Sequence, residues 1–281
     1  MAHSLARWIT CLLPKVVLII VVIAGGILPA QGESPIIEKD IPYLGNDRTE
    51  KGDLYLPANR PAGVKSPAVL MIHGGGWVGG SKSAKRELNI GTTLTEHGMV
   101  GFSIDYKLGE KGNAMGAWPQ NLHDCKTAVR WLRKNAEKYG IDPERIGVIG
   151  GSAGGHLSSM VAVTDADDRL DPKQPWGDVS CEVRCVVDLY GPIQVSGDSS
   201  GVSAITKYLD KTDPPFLIMH GTKDTTVPVA TSEQLSATVK AAGIEHELVI
   251  IEGAPHTFDL QPKQKDLRPQ VMDFFKKHLL K

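Results

Sequence analysis

From Pro67 onward, short apolar runs alternate with longer stretches in which apolar residues recur every three or four positions. The runs are AVLMI (68–72), VGFSI (100–104), IGVIG (146–150), CVVDLY (185–190), FLIMH (216–220) and ELVII (247–251). Their hydrophobicity is nearly continuous, which predicts strands buried on both faces, as in a mostly parallel sheet covered by helices. Between two of them, PQNLHDCKTAVRWLRKNAEKYG puts Leu122, Cys125, Val129, Leu132, Ala136 and Tyr139 on one face. That spacing predicts a helix over 119–140, with Pro119 in its first turn and Gly140 as its stop. Further helices are expected over 83–97, 152–163, 229–242 and 266–280, the last ending in Lys276, Lys277 and His278 near its negative pole. Two earlier segments, 36–43 and 50–56, read as an antiparallel edge hairpin. The predicted fold class is α/β, a single domain over 33–281 without internal repeat or linker.

The first 32 residues break this pattern. Arg7 and Lys15 precede an apolar run from Val16 to Leu28, followed by PAQGES with Ala30 and Gly32 in the spacing that signal peptidases accept. About 13 apolar residues fall short of the ~20 of a spanning helix, so 1–32 read as a cleaved export signal in preference to an anchor. The mature protein is then expected in the periplasm or outside the cell. A net charge of −1 and the lack of any Lys/Arg block point away from nucleic acid and anionic membranes, so the partner is sought in a pocket. Without Cys11, the three cysteines Cys125, Cys181 and Cys185 allow at most one internal bridge. Their spacing makes no zinc site, and Cys125 falls on the apolar helix face as a buried thiol. No metal or cofactor is called for.

Candidate chemistry centres on RIGVIGGSAGGHL (145–157), a strand pattern running into small residues around Ser152. A serine at the end of a strand with a helix starting at once sits on a turn so tight that side chains two positions either side would collide. Gly150 and Gly154 therefore complete a G-x-S-x-G motif. The new helix aims free N–H groups and its positive end at a developing oxyanion. Alone, the motif also suits phosphate binding or close packing. A serine nucleophile further needs a base, an acid and a second oxyanion donor. HGGGW (73–77) follows the first of these strands and offers the N–H groups of Gly75 and Gly76 beside that of Ala153, with His73 as a brace of the loop. HGTKDTTVP places Asp224 just beyond a strand; Asp188, inside CVVDLYGP, is better suited to satisfying local backbone. EGAPHTF puts His256 in the loop after the last strand, whereas His156, one turn after Ser152, should point back along its helix. Trp77, Met115 and Trp118 are candidate substrate contacts, and Trp176 a further wall; all four read equally well as packing aromatics or apolar fillers.

The order Ser152, Asp224, His256 is that of α/β-hydrolases. The chain resembles bacterial α/β-hydrolase esterases of the hormone-sensitive-lipase-like and acetyl-xylan or feruloyl-esterase type, on HGGGW, SIDYKL, AVRWLRKNAEKYGIDPERIGVIGGSAGGH, VVDLYGP, HGTKDTTVP and APHTF. The resemblance runs from Pro67 to the C-terminus and implies an α/β-hydrolase fold and a serine esterase. Gly151 stands where hormone-sensitive-lipase relatives carry an acid, and DYKLG lacks their Ala-Pro-Glu, both of which favour the carbohydrate-esterase branch. Only about 23 residues separate Gly191 from Pro214, which predicts a minimal cap and an open cleft suited to short acyl groups on a bulky sugar. A serine peptidase of the prolyl-oligopeptidase type and a non-catalytic binding protein of the same fold stay open as alternatives.

Overall fold

The computed structural model describes residues 34–61, 63–166 and 168–280. The expected export signal lies outside the described residues. Elements follow in the order β1 (Ile36–Ile41), β2 (Gly52–Leu56), β3 (Ser66–Ile72), α1 (Lys85–Glu96), β4 (Val100–Ile104), α2 (Gln120–Lys134), α3 (Ala136–Tyr139), β5 (Ile141–Gly151), α4 (Ala153–Val163), β6 (Val186–Leu189), β7 (Phe216–Gly221), α5 (Val229–Ala241), β8 (His246–Ile251) and α6 (Arg268–Leu279). They build one eight-stranded sheet in the order β1-β2-β4-β3-β5-β6-β7-β8. β3 to β8 run parallel; β1 and β2 form the expected antiparallel hairpin, and β2 joins the sheet antiparallel to β4.

The continuous hydrophobicity of the strands has its cause in two covered faces. Leu70, Ile72, Val148 and Ile218 face α2, α4 and α5, whose Leu122, Val129, Leu157, Met160 and Leu235 share their core. Val69, Met71, Ile149 and Leu217 face α1 and α6, with Ile90, Leu94, Val271 and Phe275. This arrangement is the α/β-hydrolase fold. Between β6 and β7 the chain forms only a 3-10 turn at Ile205–Lys207, so the cap is as small as the short sequence there implied.

Three sequence expectations are corrected. The helix expected over 119–140 is broken at Asn135, whose side-chain amide donates to the Trp131 carbonyl 2.9 Å away and whose backbone leaves the helical region. Pro119 precedes α2 at its N-cap position instead of lying in the first turn. β5 begins at Ile141, five residues early, through a polar stretch that rejoins β3 past an irregularity between Ser66 and Ala68. Cys125, Cys181 and Cys185 are buried free thiols; burial pushes the Cys181 thiol up to about 11, and its sulfur lies 3.1 Å from Asp171.

Candidate active site

Parallel strands all present their carboxyl ends to one edge, and ligand sites in such sheets collect there. Ile72 of β3 is registered against Gly150 of β5, so the loop from His73 and the turn at Ser152 leave the sheet side by side. Ser152 is the single residue between β5 and α4, with φ +57°, a left-handed conformation that persists only when the surroundings over-determine it. A Cβ on Gly150 would stand 2.6 Å from Ser158 Oγ and overlap the Gly154 carbonyl; one on Gly154 would stand 2.6 Å from the His73 carbonyl oxygen. Strand, helix and the loop from His73 thus converge at distances that admit no side chain at either position.

The three side chains singled out from sequence come together at this edge. Ser152 Oγ lies 3.0 Å from His256 Nε2, and His256 Nδ1 lies 2.5 Å from Asp224 Oδ2. Nδ1 faces a carboxylate and so donates, which leaves Nε2 as the acceptor toward the serine hydroxyl. The Asp224 side chain is fully buried while that of His256 keeps 12% exposed. Although burial opposes its charge, the bond from His256 and the N–H groups of Val227 and Thr226 hold the Asp224 carboxyl below the usual range. A second histidine, His220, which no sequence motif singles out, donates from Nε2 to the same carboxylate oxygen at 3.0 Å and to the Val227 carbonyl, its Nδ1 held by Ser232 at 2.7 Å. His220 thereby helps fix the carboxylate through the same oxygen that His256 uses.

Gly75 and Gly76 are exposed, at φ +122° and +62°, and the turn they form is closed by a bond from Val78 N–H to the Gly75 carbonyl. Among the described residues no acceptor pairs with the N–H of Gly75, Gly76 or Ala153. His73 braces the loop as expected: it is buried, stacked on Tyr106 and bonded from Nδ1 to the Gly74 carbonyl at 2.7 Å. Asp188 accepts from Gly191 N–H and Ser159 Oγ, the local role expected of it.

The candidate substrate contacts divide. Met115 and Trp118 are half-buried around a short 3-10 turn, with Trp118 6.1 Å from the His156 ring. Trp77 is only 4% exposed and packs edge-on against His156, so it has little surface left for a substrate. Trp176 lines a depression with Trp131 and Asn135 near the C-terminal end of α2, packed against the core, and Ser152 is not among the residues that line it.

His156 is fully buried beneath the turn, its Nε2 donating to the Ser203 carbonyl at 2.8 Å, and burial depresses its pKa to about 4. A histidine whose folded pKa lies below its unfolded ~6.5 contributes stability that is complete above 6.5 and is lost as pH falls toward 4, by up to about 3 kcal/mol. Buried Asp188, raised by desolvation to about 6, acts with the opposite sign: its contribution is present below the unfolded carboxylate value and disappears as pH rises through 6. The two offset each other in the wild type. Urea unfolding of His156→Gln at pH 7 and pH 4.5 should therefore show its stability deficit shrinking at the lower pH, and an unchanged deficit would exclude a neutral buried imidazole.

Residues 53–202 match the family model BD-FAE, and residues 194–281 match that of the prolyl oligopeptidase family. Esterase LipQ of Mycobacterium tuberculosis is 28% identical over 248 residues, covering 79% of this chain and 57% of LipQ. Esterase LipC of the same organism is 28% identical over 247 residues, covering 77% of this chain and 59% of its own. The chain thus spans less than three-fifths of the length of these curated relatives. A truncated form of a carbohydrate esterase from gut microbiota superposes with a TM-score of 0.78 at 25% identity, over 90% of this chain and 99% of that one. Thermogutta terrifontis esterase 2 phosphonylated by sarin gives 0.73 at 25% identity, over 89% and 98%. With the match to residues 53–202 spanning more than half its length, the chain belongs to the BD-FAE family.

Proposed function

We propose that the protein is an exported serine esterase that releases short acyl groups, acetyl or feruloyl, from a polysaccharide or related small esters. The observation that carries this reading is the continuous line from Asp224 through His256 to Ser152 Oγ, at 2.5 and 3.0 Å, beside three unpaired N–H groups. In the proposed mechanism Ser152 Oγ attacks the ester carbonyl carbon and its proton passes to His256 Nε2, while Asp224 holds the imidazole in the required tautomer and stabilises the imidazolium. The N–H groups of Gly75, Gly76 and Ala153 bind the tetrahedral oxyanion. Collapse breaks the bond to the alcohol, which leaves with the proton from His256; water, activated by the same base, then frees the acid from the acyl-enzyme.

The carbohydrate side of the proposal draws on the names of structural neighbours, a carbohydrate esterase from gut microbiota among them, and the short-acyl side on the small β6–β7 connection. A fluorophosphonate should label Ser152 stoichiometrically, which a non-catalytic binding protein would not allow. Nitrophenyl acetate and acetylated or feruloylated xylo-oligosaccharides should be cleaved in preference to nitrophenyl esters beyond about ten carbons; the reverse preference would indicate a long acyl pocket. The match of 194–281 to the prolyl oligopeptidase family keeps a second reading in view, since that segment carries Asp224 and His256. Cleavage of dipeptide anilides without cleavage of esters would favour it.

A further inference from the structure

A buried polar cluster next to the three side chains takes no part in the chemistry above. Arg86, in the first turn of α1, directs its guanidinium beneath the turn at Ser152. A Cβ on Gly151 would stand 2.9 Å from Arg86 Cζ and 2.9 Å from the Tyr190 hydroxyl, and one on Gly74 would stand 3.6 Å from Arg86 Nη1. Nη1 donates to Tyr190 OH at 3.0 Å, while Nε and Nη2 donate to Glu87 Oε1 at 2.9 and 2.5 Å. Glu87 is 1% exposed, so the cation is balanced in place. The Tyr190 hydroxyl has one hydrogen, and it goes to the Phe258 carbonyl at 2.6 Å; the arginine N–H occupies a lone pair of the same oxygen. A charged donor on that oxygen polarises the O–H and strengthens its own bond onward.

Tyr190 is anchored on the other side. It is fully buried just past β6, at φ +47°, with its N–H bonded to the Met219 carbonyl at 2.7 Å. Its ring meets His256 edge-on at 4.8 Å and Phe258 at 4.5 Å. His256 itself sits in the loop between β8 and α6, and Thr257 between the two contacted residues takes φ +63°. A left-handed threonine is retained only where its neighbours are held, and the holding groups are the Tyr190 ring on one side and its hydroxyl on the other.

We infer that Arg86 and Tyr190 are positioning residues for His256: the arginine fixes the tyrosine, and the tyrosine fixes the imidazole and its loop. The inference rests on His256 being the base of the proposed esterase. It also accounts for Gly151, the residue before the serine, because any side chain there would displace the guanidinium.

Tyr190→Phe keeps the ring and removes only the hydroxyl. It should lower kcat for nitrophenyl acetate about 10- to 100-fold with KM within about twofold, as expected of a displaced base. Arg86→Gln should do the same, Arg86→Lys should recover part of the loss, and the double variant should fall no further than Tyr190→Phe alone, since both act through one oxygen. A readout independent of turnover is the far-downfield proton resonance of His256 Nδ1–H bonded to Asp224. It should be sharp in the wild type and in Ser152→Ala, and broadened by exchange in Tyr190→Phe and Arg86→Gln. A sharp, unmoved resonance in Tyr190→Phe overturns the inference whether or not the wild type cleaves esters. Losses that appear in KM or multiply in the double variant would overturn it equally, placing Arg86 against the substrate.

Discussion

Ser152→Ala is expected to lower kcat by about 10⁶ while leaving the fold intact, because a residue acting as part of a nucleophile-base-acid unit takes the whole unit's contribution with it. The hydroxyl is 3.0 Å from His256 Nε2, the base of the proposed mechanism, and among the described residues no other side chain is bonded to that nitrogen. The activity that remains should come from oxyanion binding and substrate orientation alone, on the order of 10³ over the uncatalysed reaction. Thermal unfolding should be unchanged within about 2 °C, since removing a partly exposed hydroxyl leaves the turn and its glycine contacts in place. The measurement is steady-state hydrolysis of nitrophenyl acetate by purified variant, with fluorophosphonate labelling as the control for contaminating wild type. Activity within tenfold of wild type would remove Ser152 as nucleophile and with it the proposed mechanism.

The parts of this site that are legible in the sequence are those that sterics or order along the chain enforce. G-x-S-x-G is readable because Gly150 and Gly154 face backbone from neighbouring elements, so no other residue type fits. The sequence order of Ser152, Asp224 and His256 is readable because each follows a strand of the parallel sheet, and all such strands end at one edge. Arg86 is hidden because an arginine in the first turn of an amphipathic helix looks like any solvent-facing charge, and its partner Tyr190 is 104 residues away. His220 is hidden by its position as the last polar residue of an apolar strand, where nothing local hints that it shares an oxygen with His256. Trp176 misleads in the opposite direction: a tryptophan in a polar loop suggests a wall of the cleft, while it shares a depression with Trp131 near the C-terminal end of α2. Aromatic residues in loops carry no period, so their destination depends on tertiary packing that no local pattern encodes.

Gly154→Ala should destabilise the protein by about 3 kcal/mol and lower kcat on the order of 10², a pairing that few single methyl groups produce. The added carbon would overlap the Ile72 carbonyl oxygen and approach that of His73 to 2.6 Å. Both obstacles are backbone, and the His73 carbonyl is also fixed by a bond from the Tyr106 hydroxyl at 3.0 Å, so neither can rotate away as a flexible side chain would. The helix must therefore retreat from β3, carrying with it Ser152 and the Ala153 N–H that the proposed mechanism places on the oxyanion. Gly243→Ala supplies the contrast. Gly243 has φ +80°, but a Cβ there would meet nothing within 4 Å, at the end of α5 far from the turn. The methyl group then brings backbone strain of about 1 kcal/mol and no collision, so kcat should be unaffected. Urea unfolding and active-site-normalised kcat on both variants separate the two effects: equal behaviour of the two would mean that the contact between α4 and β3 does not govern the glycine requirement at position 154. A large stability loss at Gly154 with full kcat per labelled site would instead show that the nucleophile's placement does not depend on how closely its helix approaches the sheet.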